Sequence, residues 1–372
     1  MLSESLKGVI AQTLLPKKGG DDAHTRRIYD LKADKYYNIG QMNILVTGGA
    51  GYIGSVLVEE LVRDDHDVVV VDDLSKGHRD AVSESAILVE ADIADRTQIE
   101  SLLKEHKIET VIHMAAFSLV GESFQNSDAY YENNVVKSRA LLDAMAAVDV
   151  SKIVFSSTAA VYGEPGRSPI VETDELRPTN PYGETKLQFE RVLSDYEKRV
   201  GLGHVSLRYF NAAGATAKNG ERHEPETHLI PLVLETALGL HPFVEIFGDD
   251  YPTRDGTCLR DYVHVLDLAR AHILAIDAVD NTNGAYNLGC GGEGYTVREV
   301  IETAREVTGL DIPVRISGRR EGDPAVLIAS SNKIKSDLNW RPAFQDLRMI
   351  IESAWSWKRT SIRQSNLAAF TP

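Results

Sequence analysis

Tyr182 and Lys186 stand four residues apart in Asn180-Pro181-Tyr182-Gly183-Glu184-Thr185-Lys186. On a helix this spacing puts both side chains on one face, one turn apart. An unperturbed tyrosine titrates near about 10, too high to take a proton at neutral pH, and each unit of depression needs about 1.4 kcal/mol of favourable field. A lysine ammonium beside the phenol is one source of that field, and a cationic nicotinamide ring would be a second. With a nicotinamide site nearby, the pair is a general base for hydride chemistry at an alcohol. Without one, the same spacing describes a surface lysine next to a half-buried tyrosine, so the residues upstream decide.

Upstream, Val46-Thr47-Gly48-Gly49-Ala50-Gly51-Tyr52-Ile53-Gly54 follows a strand-like run and precedes a helical one. Gly48, Gly51 and Gly54 let the backbone turn tightly, approach a pyrophosphate and pack helix on strand, with the helix N-terminus facing the phosphates. The spacing is G-x-x-G-x-x-G rather than the commoner G-x-G-x-x-G. The next strand ends in Asp72, 18 residues past Gly54, where a carboxylate bonds the adenosine ribose. A 2′-phosphate would be repelled by Asp72 and Asp73, which favours NAD over NADP. A third element, the run Lys152–Ser156 leading into Ser157-Thr158-Ala159-Ala160, offers Ser156, Ser157 and Thr158 as hydroxyls for a reacting oxygen beside Tyr182.

These residues need a scaffold. From Met42 apolar runs at Asn43–Thr47, Asp67–Val71, Ile87–Glu90, Thr110–His113, Lys152–Ser156 and Val205–Arg208 alternate with helical segments at Ser55–Asp64, Thr97–His106, Asn134–Val148 and Tyr182–Arg199. The alternation predicts an α/β fold, a doubly wound parallel sheet of the Rossmann type. After about residue 211 the regularity breaks into longer polar loops, which predicts a smaller C-terminal α/β lobe for the substrate. The expected organisation is an N-terminal extension over 1–41, poorly ordered, with a short amphipathic helix ended by Pro16. A dinucleotide-binding domain over 42–211 follows, then a substrate lobe over 212–358 and a tail over 359–372.

Net charge is -15 in 372 residues, which argues against a nucleic-acid or anionic-membrane partner. The only cysteines, Cys258 and Cys290, suit a reducing, cytoplasmic setting without a disulfide framework. No apolar run approaches the ~20 residues of a membrane span, and no secretory signal is evident. No metal site is expected: in His223-Glu224-Pro225-Glu226-Thr227-His228 the histidines are five apart, and Pro225 breaks the helix that a zinc motif of this kind uses.

From Met42 to about Trp357 the chain resembles the extended short-chain dehydrogenase/reductases that act on nucleotide sugars, and within them the C4 epimerases. Besides the stretches above, the resemblance rests on Val111-Ile112-His113-Met114-Ala115-Ala116, Tyr130-Tyr131-Glu132-Asn133-Asn134-Val135 and Leu207-Arg208-Tyr209-Phe210-Asn211. It continues through Ile246-Phe247-Gly248-Asp249-Asp250-Tyr251-Pro252-Thr253, Arg260-Asp261-Tyr262-Val263-His264-Val265 and Arg319-Arg320-Glu321-Gly322-Asp323. It implies a catalytic trio of Thr158, Tyr182 and Lys186. It implies that Tyr52, Ile53, Asp72, Asp92, Ile93, Ala115, Asn133 and Phe210 line NAD together with the glycine loop. Asn211, Phe247, Arg260, Arg320 and Asp323 would hold a uridine diphosphate, with Leu327 at a gate for the sugar's 2-substituent. Ser118 stands where relatives carry a lysine, and His228 where asparagine is common.

The implied activity is reversible C4 epimerisation of a UDP-hexose, glucose to galactose, through a 4-keto sugar, in a homodimer paired through the Asn134–Val148 and Tyr182–Arg199 helices. UDP-N-acetylhexosamines or UDP-pentoses are the alternative substrates. Dehydratases of similar sequence carry Asp-Glu directly after the threonine, and here those positions are Ala159 and Ala160, which transfer no protons. A non-catalytic dinucleotide sensor usually lacks the tyrosine or lysine, and both are present.

Overall fold

The computed structural model describes residues 40–320 and 322–368; the expected N-terminal extension lies almost wholly outside them. Seven parallel strands form the central sheet. Six come in order from the first half: β1 (Asn43–Thr47), β2 (Asp67–Asp72), β3 (Ile87–Glu90), β4 (Thr110–His113), β5 (Lys152–Thr158) and β6 (Gly203–Tyr209). The seventh, Gly284–Leu288, pairs with β6, so the sheet runs Gly284–Leu288, β6, β5, β4, β1, β2, β3. This is the doubly wound order with one strand added, and the order reverses between β1 and β4, where such sheets open a crevice at their strand carboxyl ends.

Both sheet faces are covered, and the period of two in the strands decides which side chain goes where. Ile44 and Val46 of β1 pack with Val56, Leu57 and Leu61 of helix Tyr52–Arg63 and with Leu268 and Ile276 of helix Val265–Ala278. Leu45, between them, packs on the other face with Ile99 and Leu103 of helix Arg96–Glu105, Leu141 and Met145 of helix Ser138–Ala147, and Phe189 and Leu193 of helix Pro181–Val200. Where the sequence predicts one helix over Asn134–Val148, the structure has a π-helical turn at Glu132–Lys137 running into the α-helix Ser138–Ala147. β5 also runs two residues further than its apolar stretch, ending at Thr158.

The remaining strands are short and make three small sheets. Asn211–Ala213 pairs with Tyr262–His264, Val244–Phe247 with Val314–Ser317, and Leu259–Arg260 lies between Tyr295–Thr296 and Val326–Leu327. With helices Leu229–Ala237, Val297–Thr308 and Leu347–Ala368 they form the second lobe. The last of these helices runs across residue 358, and the chain returns to the central sheet at Gly284–Leu288 from within the segment expected to be mainly substrate lobe. Among the described residues no helix is long and apolar enough to cross a membrane.

Candidate active site

A cavity of about 1690 Å³ opens along the carboxyl ends of the strands and continues between the sheet and the second lobe. Thr158, Tyr182, Lys186 and every residue that the resemblance assigns to cofactor or substrate line it, as do Ser118 and His228. Ser156 and Ser157, the other candidate hydroxyls, do not: both are buried, with their hydroxyls on His272 Nε2 at 2.9 Å and Glu190 Oε1 at 2.5 Å.

At its nucleotide end the glycines are there for different reasons. Gly48 has φ +74°, and a Cβ on it would sit 2.5 Å from the Ala115 nitrogen. A Cβ on Gly54 would sit 2.2 Å from the Gly48 carbonyl oxygen, so these two close the turn and seat helix on strand. At Gly51, the N-cap of helix Tyr52–Arg63, a Cβ would meet nothing nearer than the Gly48 oxygen at 3.4 Å. Protein packing does not demand glycine there; close approach of a pyrophosphate to the helix N-terminus does. Asp72, at the end of β2, accepts from the Ala50 N–H at 2.9 Å and the Leu74 N–H at 2.9 Å. Burial raises its pKa, and those two N–H groups pull it back. Asp92 accepts from Ala94 N–H at 2.9 Å and pairs with Lys137 at 2.5 Å. Burial works against its charge, but Lys137 and the Ala94 N–H prevail and its pKa is lowered. The Tyr52 hydroxyl donates to the Gly214 carbonyl at 2.6 Å, which tethers this helix to the second lobe. A dinucleotide fits this cradle and its ribose carboxylate.

At the chemical end, helix Pro181–Val200 starts where its residues say it should: the Asn180 side chain accepts from Gly183 N–H at 2.8 Å and Pro181 occupies the first turn. Tyr182 and Lys186 share its inner face and are both buried. Lys186 Nζ lies 5.9 Å from the Tyr182 ring centroid and donates to the Ser156 carbonyl at 2.9 Å. Thr158 caps the turn Ala159–Tyr162 by accepting from Ala160 N–H at 3.1 Å, which leaves its own proton to donate. Burial pushes the Tyr182 phenol up to about 12, against a downward pull from Thr158. Burial also brings Lys186 down to about 7, against the carboxylate of Glu190 one turn further on. Among protein groups, desolvation therefore outweighs the Tyr–Lys attraction that the spacing suggested.

Behind the pair lies a buried network that the sequence did not announce. Arg208 grips Glu190 with two nitrogens and reaches the Tyr162 hydroxyl at 2.9 Å; Ser157 donates to Glu190 at 2.5 Å, and Tyr162 to Asn287 at 2.7 Å. It links β5, β6, helix Pro181–Val200 and the seventh strand. Asn134 is a second omission: its amide bonds both polar atoms of the Phe117 backbone and Thr185 Oγ1, fixing the cofactor-side loop to the same helix. Its neighbour Asn133 was readable only through the motif.

The chain matches the family described as NAD dependent epimerase/dehydratase over residues 44–289. It belongs to that family. A protein from Halalkalibacterium halodurans named UDP-glucose 4-epimerase is 52% identical over 322 residues, covering 86% of this chain and 96% of the relative. A structure of UDP-glucose 4-epimerase from Brucella ovis in complex with NAD is similar with a TM-score of 0.82 at 43% identity, covering 84% of this chain and 97% of that one. One from Stenotrophomonas maltophila, with bound NAD and formylated UDP-arabinopyranose, has a TM-score of 0.84 at 40% identity, covering 87% of this chain and all of that one (100%).

The residues that the resemblance nominates for a uridine diphosphate converge on the second-lobe wall. Arg260 pairs with Asp323 and donates to the Pro324 carbonyl at 2.8 Å. Arg320 stacks over Phe247 with its guanidinium carbon 3.8 Å from the ring centroid. Asn211 Nδ2 donates to the Asp261 carbonyl at 3.0 Å. Leu327 pairs in register with Arg260 and packs on the cluster that contains Phe210 and Tyr162.

Residues 221–228 form a polar loop, as Pro225 implies, and its path brings Glu221, His223, Glu226 and His228 together, which no helical motif would do. Burial opposes the charges here too, yet Glu221 is held down at about 2 by His228 and His223, and His228 is raised to about 10 by Glu221 and Glu226. Arg222 in the same loop pairs with Asp80 at 2.9 Å, and its carbonyl lies 3.1 Å from His78 Nε2, so the loop spans from the second lobe to the cofactor side.

Proposed function

We propose that the chain interconverts UDP-glucose and UDP-galactose by reversible epimerisation at C4 with tightly bound NAD. The observation that carries this is the meeting, in one cavity, of a dinucleotide cradle, the Tyr182–Lys186–Thr158 trio and an arginine-lined wall. Bound NAD would supply the hydride acceptor and donor for C4, and its positive ring would add to the field on the Tyr182 phenol. Bringing a phenol from about 12 to neutral pH takes roughly five units, about 7 kcal/mol, so Lys186 and Thr158 act with that charge rather than alone.

Tyr182 takes the proton from the C4 hydroxyl and gives it back within the same turnover. Thr158, its oxygen already accepting from Ala160 N–H, donates to the sugar oxygen or the phenolate. Lys186, fixed on the Ser156 carbonyl, holds positive charge beside the phenol. Arg260, Arg320 and Asn211 hold the uridine diphosphate, so the 4-keto sugar can turn about its diphosphate link while the nucleotide stays in place. Ala159 is buried and Ala160 lines the cavity; neither offers the proton carrier that eliminating water across C5 and C6 requires.

The enzyme acts as a homodimer paired through residues 132–147 and helix Pro181–Val200, with Tyr131 and Val136 exposed at the start of the first, and in a cytoplasm that keeps Cys258 and Cys290 reduced; both are free and buried. Purified protein given UDP-galactose should produce UDP-glucose without added NAD. Tyr182→Phe should lower kcat by about 10²–10⁴ while NAD stays bound. A 4-keto-6-deoxy product would overturn the epimerase reading.

A further inference from the structure

The loop at residues 221–228 belongs to no step above, yet it gathers four metal-ligating side chains. We propose that Glu221, His223, Glu226 and His228 bind one divalent transition-metal cation of the zinc class, as a structural site in the cavity wall.

Their candidate ligand atoms all lie within 4.8 Å of one another. His228 Nδ1 is 2.7 Å from Glu221 Oε1 and 2.8 Å from Glu226 Oε1, and His223 Nδ1 is 3.2 Å from Glu221 Oε1. The two imidazole rings stand 4.9 Å apart. Two imidazole nitrogens and two carboxylate oxygens thus converge on one point of the loop. A cation among the four groups answers both carboxylates and leaves both imidazoles neutral donors.

The donor set selects the ion. Two nitrogens and two carboxylate oxygens make the four protein ligands of a closed tetrahedral zinc site. Calcium and magnesium prefer all-oxygen shells, and thiolate-seeking ions find no cysteine in the group. Two carboxylates with neutral imidazoles carry the charge that a dication cancels. The loop also orients its ligands: Thr227 N–H and His228 N–H donate to Glu226 Oε1 at 2.8 and 2.9 Å, leaving Oε2 for a metal. Pro225 keeps the segment from becoming a helix, so eight residues can wrap around one ion. The His228 side chain is 41% exposed, which gives an entry path.

The site's effect follows from its neighbours. His223 meets the Tyr52 ring edge-on at 6.4 Å, and Tyr52 opens the helix that caps the cofactor cradle. A bound ion would hold the loop against the cofactor side of the cavity.

The full-length protein, stripped with a chelator, should be titrated with Zn²⁺ in competition with a chromophoric chelator. The expected result is saturable binding of one ion per chain, a rise in Tm on loading, and a tetrahedral visible spectrum with Co²⁺ that lacks thiolate charge-transfer bands. His223→Asn and Glu226→Gln, each with an unchanged far-UV spectrum, should weaken binding by about 100-fold or more and abolish the Tm rise. His223 is the partner with the fewest contacts, so its variant decides if Glu226→Gln fails to fold. Absence of saturable binding by stripped protein, or equal affinity in His223→Asn and wild type, overturns the proposal in favour of a hydrogen-bonded loop. Neither outcome depends on whether the enzyme epimerises UDP-hexoses.

Discussion

Lys186 Nζ donates to the main-chain carbonyl of Ser156 at 2.9 Å, so the ammonium is tethered to β5 while its stem rises from helix Pro181–Val200. That bond ties together two elements through residues 30 apart in sequence. Lys186→Met keeps the apolar stem but leaves a buried carbonyl short of a partner and the phenol without its fixed charge. Stability should fall by about 1–3 kcal/mol, and kcat by roughly a hundredfold or more. Chemical denaturation and steady-state rates on the same preparation check both. Full activity in this variant would remove Lys186 from the trio.

Gly183 should prove more exacting than its helical position suggests. A Cβ there would lie 2.6 Å from the Ala160 carbonyl oxygen. Gly→Ala inside a helix ordinarily gains about 1 kcal/mol. Here Gly183→Ala should instead destabilise, push the helix start away from the turn after Thr158, and lower kcat more than NAD content. A Tm above wild type would show that the close approach is not needed.

Arg320 lies flat on Phe247, its guanidinium poised at the cavity wall. A charge-assisted bond to a diphosphate is worth about 1.5–3 kcal/mol. Arg320→Met should therefore raise KM for UDP-galactose by roughly 10- to 150-fold with little change in kcat, since the diphosphate is held alike in ground and transition states. A kcat loss with unchanged KM would mean that Arg320 acts on the chemistry instead.

Acid should destabilise the enzyme through its buried histidines. Burial lowers His113 to about 3, helped by Lys186; His264 to about 3, helped by Arg270; and His272 to about 4, against the Leu268 carbonyl. All three folded values lie below the ordinary 6.5. Their contribution is therefore fully present above about pH 6.5 and is lost as pH falls toward the folded values, because only the unfolded chain takes up the protons. Each should add a slope approaching 1.4 kcal/mol per pH unit, roughly, between those limits. Denaturation midpoints from about pH 7.5 to 5 should fall steadily, and His272→Gln should shed about one histidine's share of the slope. A stability that stays flat across that range would contradict the neutral-histidine account.

The residues themselves determined the sheet, the glycine turn and helix Pro181–Val200. Strand alternation, the glycine spacing and the Asn180-Pro181 start are local signals, and each is satisfied within a few residues of where it is written. Asp72 was legible for the same reason, since strand length fixes where its carboxyl end falls. The tertiary structure decided what depends on partners far apart in sequence. It turned the Tyr182–Lys186 attraction into a contest that burial wins, because desolvation is set by everything packed around the pair. It assembled the Arg208–Glu190–Tyr162 network from three separate elements. It also folded residues 221–228 into a loop whose ligand groups face one another. Helical spacing had argued against a site there, but a loop has no fixed period, and only the path of its backbone says which side chains meet.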